Sequence, residues 1–156
     1  MESKFFPVSI DLTNKNVLVV GAGKIAFRKV ETLVKQGCNI KVITRTVEEQ
    51  NFEKLLKDKK IFLEIEREFK EEDLKDIFLV VAATSDEKMN KYISELCISR
   101  NILVNNISSK TDMNLRFSSI FETEDFQIAV STKEGNPKKA LEIRDMIRDC
   151  FNRGEK

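Results

Sequence analysis

Three small residues, Gly21, Gly23 and Ala26, occur at the spacing G-x-G-x-x-A. In a strand–turn–helix segment, the first glycine allows a tight turn, the second lets the backbone approach a pyrophosphate, and the third small residue lets helix and strand pack closely. The free N–H groups and the positive dipole end at the helix start then favour bound phosphate. The spacing therefore predicts a dinucleotide site. The alternative is a tight turn in an α/β domain that binds no ligand.

The sequence around this motif supplies the elements that such a turn requires. Residues 17–20 are an apolar run typical of a buried strand, and the helical pattern after the turn is predicted to keep one apolar face, made of Ile25, Ala26, Val30, Leu33 and Val34. Similar runs predict further strands at residues 39–43, 61–65, 77–83 and 102–107. Helices are predicted at residues 47–57 and after Asp86, and a helix or helical turn is predicted at residues 66–75. This alternation predicts an α/β fold with a Rossmann-like parallel sheet.

The pattern changes after Asp112. Residues 115–121 and 126–131 alternate like antiparallel strands, and residues 138–151 form a helical pattern. We therefore expect a first domain at residues 1–112 and a small α+β domain at residues 113–156. So short a segment has little core of its own, so it is expected to pack on the first domain or on its copy in a dimer. Before the first domain's sheet, residues 5–12 alternate weakly and predict a short lead-in strand.

Polar residues follow the predicted strands at the edge where open α/β sheets bind ligands. After the second strand come Arg45 and Thr46, and the acidic Glu48 and Glu49 follow later. A carboxylate at this strand end favours NAD, and an arginine accommodates the 2′-phosphate of NADP. Arg45 is equally consistent with a solvated loop charge. These residues leave the choice between NAD and NADP open.

The next strand ends in small residues. Ala82 and Ala83 either leave room for a flat cofactor or pack closely, and Thr84 follows them.

The composition excludes several classes of function. The chain of 156 residues contains no histidine, which excludes catalysis by histidine and histidine metal ligands. The 27 basic and 26 acidic residues leave a net charge of +1, so nucleic acid is not a favoured partner. The longest apolar run, residues 77–84, is too short to span a bilayer, and no signal-peptide pattern begins the chain. Three scattered cysteines form no metal motif. We expect a cytoplasmic protein without a metal site.

Several short motifs occur in the order found in one known family. They are Phe6-Pro7, residues 19–29 (VVGAGKIAFRK), residues 80–86 (VVAATSD), Asn90, Val104-Asn105, residues 128–132 (IAVST), Asn136-Pro137 and Ile143-Arg144. With these motifs, the sequence resembles the siroheme synthase N-terminal module, the precorrin-2 dehydrogenase / sirohydrochlorin ferrochelatase family, over about 145 residues.

The resemblance implies an NAD-binding Rossmann domain followed by a dimerisation domain in a homodimer. It also implies NAD-dependent oxidation of the tetrapyrrole precorrin-2 to sirohydrochlorin, in siroheme or cobalamin biosynthesis. NAD is chosen over NADP because the family generally uses it. The cofactor contacts carried over by position are Gly21, Gly23, Lys24, Ile25, Arg45, Thr46, Ala83 and Thr84.

Two departures from the family pattern bear on catalysis. The family usually has an aspartate where this chain has Ser108, followed by Ser109. Either Asp112 substitutes for it from a moved loop, or the dehydrogenation needs little from this position because substrate propionates and water can move the proton. A serine hydroxyl is no general base near neutral pH without an activating partner. The second departure is length: the family commonly carries a further helical domain, and this chain is expected to lack it. Both departures weaken the expectation of iron insertion. The alternatives are a non-catalytic protein of this fold that binds nucleotide and tetrapyrrole, and an NADP-linked reductase of another small substrate.

Overall fold

The protein, seen in a computed structural model that describes residues 4–154, consists of two compact units. The larger unit is Val8–Leu115, and the smaller unit contains residues 116–154 together with residues 4–7. A cation–π contact ties the two segments of the smaller unit together, because the guanidinium of Arg116 lies 4.0 Å from the ring centroid of Phe5.

Five parallel strands form the sheet of the larger unit. They are β1 (Asn16–Val20), β2 (Asn39–Ile43), β3 (Phe62–Glu64), β4 (Leu79–Ala82) and β5 (Leu103–Asn106). Their order is β3-β2-β1-β4-β5, so the chain reverses its direction across the sheet at β1. In register, Val20 lies between Ile43 and Ala82. The order confirms the Rossmann-like prediction and places a ligand crevice at the carboxyl end of β1.

The helices of this unit are α1 (Lys24–Val34), α2 (Phe52–Lys57) and α3 (Glu87–Ser99), with a short 3-10 helix at Glu71–Leu74. The right-handed crossovers β1-α1-β2 and β4-α3-β5 run in opposite directions, so α1 and α3 cover opposite faces of the sheet. On the α3 face, Ile93 and Cys97 pack in one cluster with Val80 and Val104.

Two local predictions were wrong. Residues 5–12 form no strand, and the predicted helix at residues 47–57 begins only at Phe52. The backbone N–H groups of Glu48 and Glu49 instead donate to the carbonyl of Ala22, which holds this segment as a loop. Of the helix or helical turn predicted at residues 66–75, the structure has the turn, the 3-10 helix at Glu71–Leu74. A longer helix does not form, because Glu66 has a positive φ of 56° and its N–H donates to the carbonyl of Arg45.

The smaller unit contains an antiparallel pair, β6 (Ser119–Glu122) and β7 (Gln127–Val130), and the helix α4 (Pro137–Gly154). Phe121, Phe126 and Phe151 meet edge to face, with centroid distances of 5.1 to 6.0 Å. This arrangement confirms the prediction of a strand pair and helix. Across residues 4–154, no helix combines the length and apolar character needed to cross a membrane.

Candidate functional site

Gly21 makes the turn that follows β1, and no other residue fits there. Its φ is +107°, and a Cβ on it would lie 2.2 Å from the carbonyl oxygen of Ala83. The N–H of Gly21 donates to the carbonyl of Ile43 at 2.8 Å. The turn is therefore packed against the carboxyl ends of both β2 and β4, and this close approach requires glycine.

Gly23 stands at the N-terminus of α1, where the backbone is open. No side chain caps the helix there, and its first turn contains no acidic residue. Among residues 4–154, the one atom within 4 Å of a Cβ placed on Gly23 would be Oε2 of Glu48, at 3.3 Å. The first N–H groups of α1 are therefore available to an anion, which fits the pyrophosphate of a dinucleotide. The side chains of Lys24 and Ile25 are exposed at the same end of the helix.

The loop after β2 brings two predicted contact residues, Arg45 and Thr46, to the same edge of the sheet. The guanidinium of Arg45 is paired with Glu68 at 2.6 Å, and both side chains are exposed. The carbonyl of Thr46 accepts a hydrogen bond of 2.6 Å from the hydroxyl of Thr44. The charge of Arg45 is thus already balanced by a carboxylate of this chain.

Sequence reasoning gave Glu48 no role, yet the structure puts its carboxylate beside the glycine turn. The cause is the pair of backbone hydrogen bonds, each 3.2 Å, from Glu48 and Glu49 to the carbonyl of Ala22. The spacing of these acidic residues carries no signal for that contact, because it depends on how the loop folds back.

Ala83 and Thr84 follow β4 and are fixed by hydrogen bonds. Ala83 is buried, and its N–H donates to the carbonyl of Val20 at 2.8 Å. The N–H and hydroxyl of Thr84 lie 3.0 and 2.7 Å from Oδ1 of Asn90. The backbone carbonyl of Ala83 is the group that packs against Gly21.

Ser108, in the loop after β5, is tied into a network of amides. Its hydroxyl donates to Oδ1 of Asn106 at 2.8 Å and accepts from Nδ2 of Asn90 at 3.0 Å. Its N–H donates to the same Oδ1 of Asn106 at 2.9 Å. With its proton committed to an amide oxygen, Ser108 is held as a fixed group and has no basic partner to activate it.

Asn90 and Asn106 are residues whose part in the site sequence reasoning missed. Asn90 is fully buried on α3, one turn before Ile93 and Ser94, so an amide on the inward helix face was the available signal. Asn106 is buried at the end of β5, and its Nδ2 has no hydrogen-bond partner among residues 4–154. A buried donor without a partner costs about 1–3 kcal/mol, and such groups call for a functional explanation.

Asp112 lies in the loop after β5, half-buried. Its N–H donates to the hydroxyl of Ser109 at 3.0 Å, which fixes the backbone of the loop. Within residues 4–154, its carboxylate has no hydrogen bond or ion pair. In that part of the chain, no three Cys, Asp or Glu side chains are grouped as metal ligands.

Apart from Asp112, the predicted site residues fall into two groups at one edge of the sheet. The first group lies at the turn after β1. It consists of Gly21, Gly23, Lys24, Ile25, Arg45 and Thr46. Thr84 and Ser108 are joined through Asn90 at the ends of β4 and β5. Ala83 links the groups, because its carbonyl packs on Gly21.

Comparison with known proteins shows which proteins this chain is similar to. Siroheme synthase of Mannheimia succiniciproducens is 35% identical over 143 residues, or 92% of this chain and 30% of that protein. Siroheme synthase of Buchnera aphidicola is 34% identical over the same length. The chain thus spans about a third of the length of these curated relatives, and the alignments confirm the resemblance that its motifs indicate.

A solved structure described as SirC, precorrin-2 dehydrogenase, matches with a TM-score of 0.80 and 29% identity, covering 93% of this chain and 70% of that one. The family model described as "Putative NAD(P)-binding" matches residues 8–119, which include the glycine turn and the whole parallel sheet. The chain therefore belongs to this NAD(P)-binding family.

Proposed function

We propose that this chain oxidises precorrin-2 to sirohydrochlorin with NAD as the hydride acceptor. The observation that carries the proposal is the uncapped start of α1 beside Gly21 and Gly23, at the ligand edge of the sheet. Support for the substrate comes from the solved precorrin-2 dehydrogenase, which is similar over nearly the whole chain. The siroheme synthases, of which the chain spans 30%, support the same pathway.

The reaction removes one hydride and one proton from the tetrapyrrole. NAD, when bound, supplies the acceptor for the hydride. The residues of this chain hold the two flat molecules in place and dispose of the proton. The N–H groups at the start of α1 would hold the pyrophosphate, and the close packing of Gly21 on Ala83 keeps this turn rigid.

We propose that the carboxylate of Asp112 accepts this proton and that Ser108 has a positioning role. The carboxylate of Asp112 is the unpaired base in the loop after β5 within the described part of the chain, and a carboxylate can accept a proton at neutral pH. The hydroxyl of Ser108 already donates to Asn106, so it fixes the path of this loop.

We also propose that the smaller unit joins two copies of the chain. Within residues 116–154, Ala140 is the one buried apolar residue, and Ile120, Leu141 and Met146 are exposed, Met146 to 67%. A unit with so little core gains stability by burying such side chains against a copy of itself. Replacing Met146 with glutamate is expected to shift the molar mass measured by light scattering from dimer toward monomer. An unchanged mass would contradict this assignment.

A cytoplasmic location is part of the same proposal. Cys38, Cys97 and Cys150 are unpaired, which is the usual state of cysteines in a reducing compartment.

The direct test is to supply precorrin-2 and NAD and to follow NADH and sirohydrochlorin by their absorbance. We expect both products to form in equal amounts. Binding of NAD and tetrapyrrole without turnover would instead favour the non-catalytic protein of the same fold. Metal insertion into sirohydrochlorin is measured separately, since no residue identified here is assigned to that step.

A further inference from the structure

We propose that Glu48 is the residue that makes this site select NAD over NADP. The inference rests on the dinucleotide site of the proposed function and adds the group that reads the adenosine ribose. In Rossmann sites, that group is commonly a carboxylate at the end of the second strand, which accepts a hydrogen bond from the ribose 2′-OH. In this chain, the end of β2 instead presents Thr44, Arg45 and Thr46.

The tertiary structure supplies the missing carboxylate from farther along the chain. The carbonyl of Ala22, inside the glycine turn, accepts hydrogen bonds of 3.2 Å from the backbone N–H groups of Glu48 and Glu49. These bonds fix the loop against the turn and leave Oε2 of Glu48 3.3 Å from the position that a Cβ of Gly23 would take. The carboxylate therefore stands at the entrance to the phosphate-binding turn, on the side of β2.

Arg45 does not offset this negative charge. Its guanidinium is paired with Glu68 at 2.6 Å. A 2′-phosphate entering beside the turn would thus meet the carboxylate of Glu48 and an arginine that already holds a carboxylate. A ribose with a free 2′-OH would instead offer a donor to Glu48. The same side chain favours NAD and repels NADP.

The test compares the dissociation constants of NAD and NADP for the full chain, measured by titration calorimetry, in the wild type and in Glu48→Gln. We expect the wild type to bind NAD more tightly. Glu48→Gln removes the negative charge and weakens the hydrogen bond to the ribose, so the preference for NAD is expected to fall on the order of tenfold. Glu48→Asp, which keeps the charge on a shorter side chain, is expected to keep most of the preference.

Glu49→Gln is the matched control, because it removes the same charge one residue away. The Glu49 carboxylate accepts hydrogen bonds from Asn51 within the loop, at 2.7 and 3.2 Å, and a glutamine oxygen can replace it. We expect this variant to keep the wild-type ratio of the two dissociation constants. In Glu68→Gln, the guanidinium of Arg45 loses its charged partner, and NADP is expected to bind more tightly than in the wild type.

The outcomes separate this inference from the proposed function. If the ratio of dissociation constants is the same in Glu48→Gln as in the wild type, or if Glu49→Gln changes it equally, Glu48 does not select the cofactor and the proposed function stands. If the wild type binds neither NAD nor NADP, both the inference and the proposed function are wrong.

Discussion

Nδ2 of Asn90 donates a hydrogen bond of 3.0 Å to the hydroxyl of Ser108, and this bond joins the start of α3 to the loop after β5. The other contacts of the same amide reach Thr84, whose carbonyl accepts from Nδ2 at 3.0 Å and whose N–H donates to Oδ1. One buried side chain therefore fixes the loops that follow β4 and β5. Both loops lie at the edge of the sheet where the proposed substrate would bind.

Replacing Asn90 with alanine is expected to lower the free energy of unfolding by about 2–4 kcal/mol, because it leaves the N–H of Thr84 without its acceptor and opens a cavity. Urea unfolding followed by far-UV circular dichroism measures the change. Ser94→Ala is the control, since the buried hydroxyl of Ser94 donates only to the carbonyl of Asn90 within the same helix. That variant should lose about 1 kcal/mol or less. Equal losses of unfolding free energy in the two variants would contradict the prediction, because they would show that the Asn90 side chain contributes no more than the hydroxyl of Ser94.

If Asp112 accepts the proton and Ser108 only positions the loop, substitutions at these two residues are expected to change the kinetics differently. Asp112→Asn is expected to lower kcat for NADH formation by about 10² or more, with little change in the dissociation constant of NAD, because it removes the proton acceptor and leaves the glycine turn intact. The measurement is the steady-state rate with precorrin-2, together with NAD binding by calorimetry.

Ser108→Ala is the companion variant. It removes two hydrogen bonds and is expected to reduce stability by about 1–2 kcal/mol while kcat falls less than in Asp112→Asn. A loss of kcat in Ser108→Ala that exceeds the loss in Asp112→Asn would reverse the two roles.

The packing of Gly21 on Ala83 predicts a large effect of one methyl group. Gly21→Ala forces a Cβ to within 2.2 Å of the carbonyl of Ala83 at a φ of +107°, so we expect a loss of about 2–4 kcal/mol and weaker binding of NAD. Gly37 also has a positive φ, +68°, but open space where a Cβ would lie. Gly37→Ala should cost about 1 kcal/mol and leave NAD binding unchanged. Thermal and urea unfolding of both variants would show which contributes more to the loss of stability, the steric clash of the added Cβ or the strained backbone conformation.

A group of ion pairs predicts that stability depends on pH. In it, Lys41 and Arg67 pair with Glu64 and Asp73. Hydrogen bonds from Arg67 and Lys41 hold the pKa of Glu64 below its usual value. Burial alone would raise the pKa of Asp73, but hydrogen bonds from Arg67, at 2.9 Å, and from the N–H of Lys70 lower it overall. Carboxylates with a lowered pKa in the folded state stabilise the protein above their unfolded pKa of about 4, and this stabilisation is lost as the pH falls through the folded-state pKa.

Arg67→Met is therefore expected to reduce the free energy of unfolding at pH 7 by about 1–3 kcal/mol, and the difference from wild type should shrink as the pH is lowered below about 4. Urea unfolding at a series of pH values tests this. Lys54→Met removes the same charge from a lysine that has no ion pair within residues 4–154, and it should leave the pH dependence unchanged. A constant difference between Arg67→Met and wild type at every pH would refute the prediction.

The strands and the glycine turn were predictable because their signals are local. Buried parallel strands require continuous apolar runs, and a turn packed as closely as Gly21 is on Ala83 requires glycine at a fixed distance from the strand. The predicted helix at residues 47–57 failed for the opposite reason. Its first residues form hydrogen bonds with Ala22, a partner that is distant in the sequence.

The sequence by itself therefore determined the order of the elements, the glycine turn after β1 and the absence of histidine chemistry, since each follows from residue types and their spacing. Only the tertiary structure decided which side chains face that turn and which are committed elsewhere. It brought Glu48 to Gly23, paired Arg45 with Glu68 and tied Ser108 to Asn90. The physical reason is that loop contacts depend on which backbone donors and acceptors, distant in the sequence, come close together in the fold. The periodicity of the sequence does not predict these contacts.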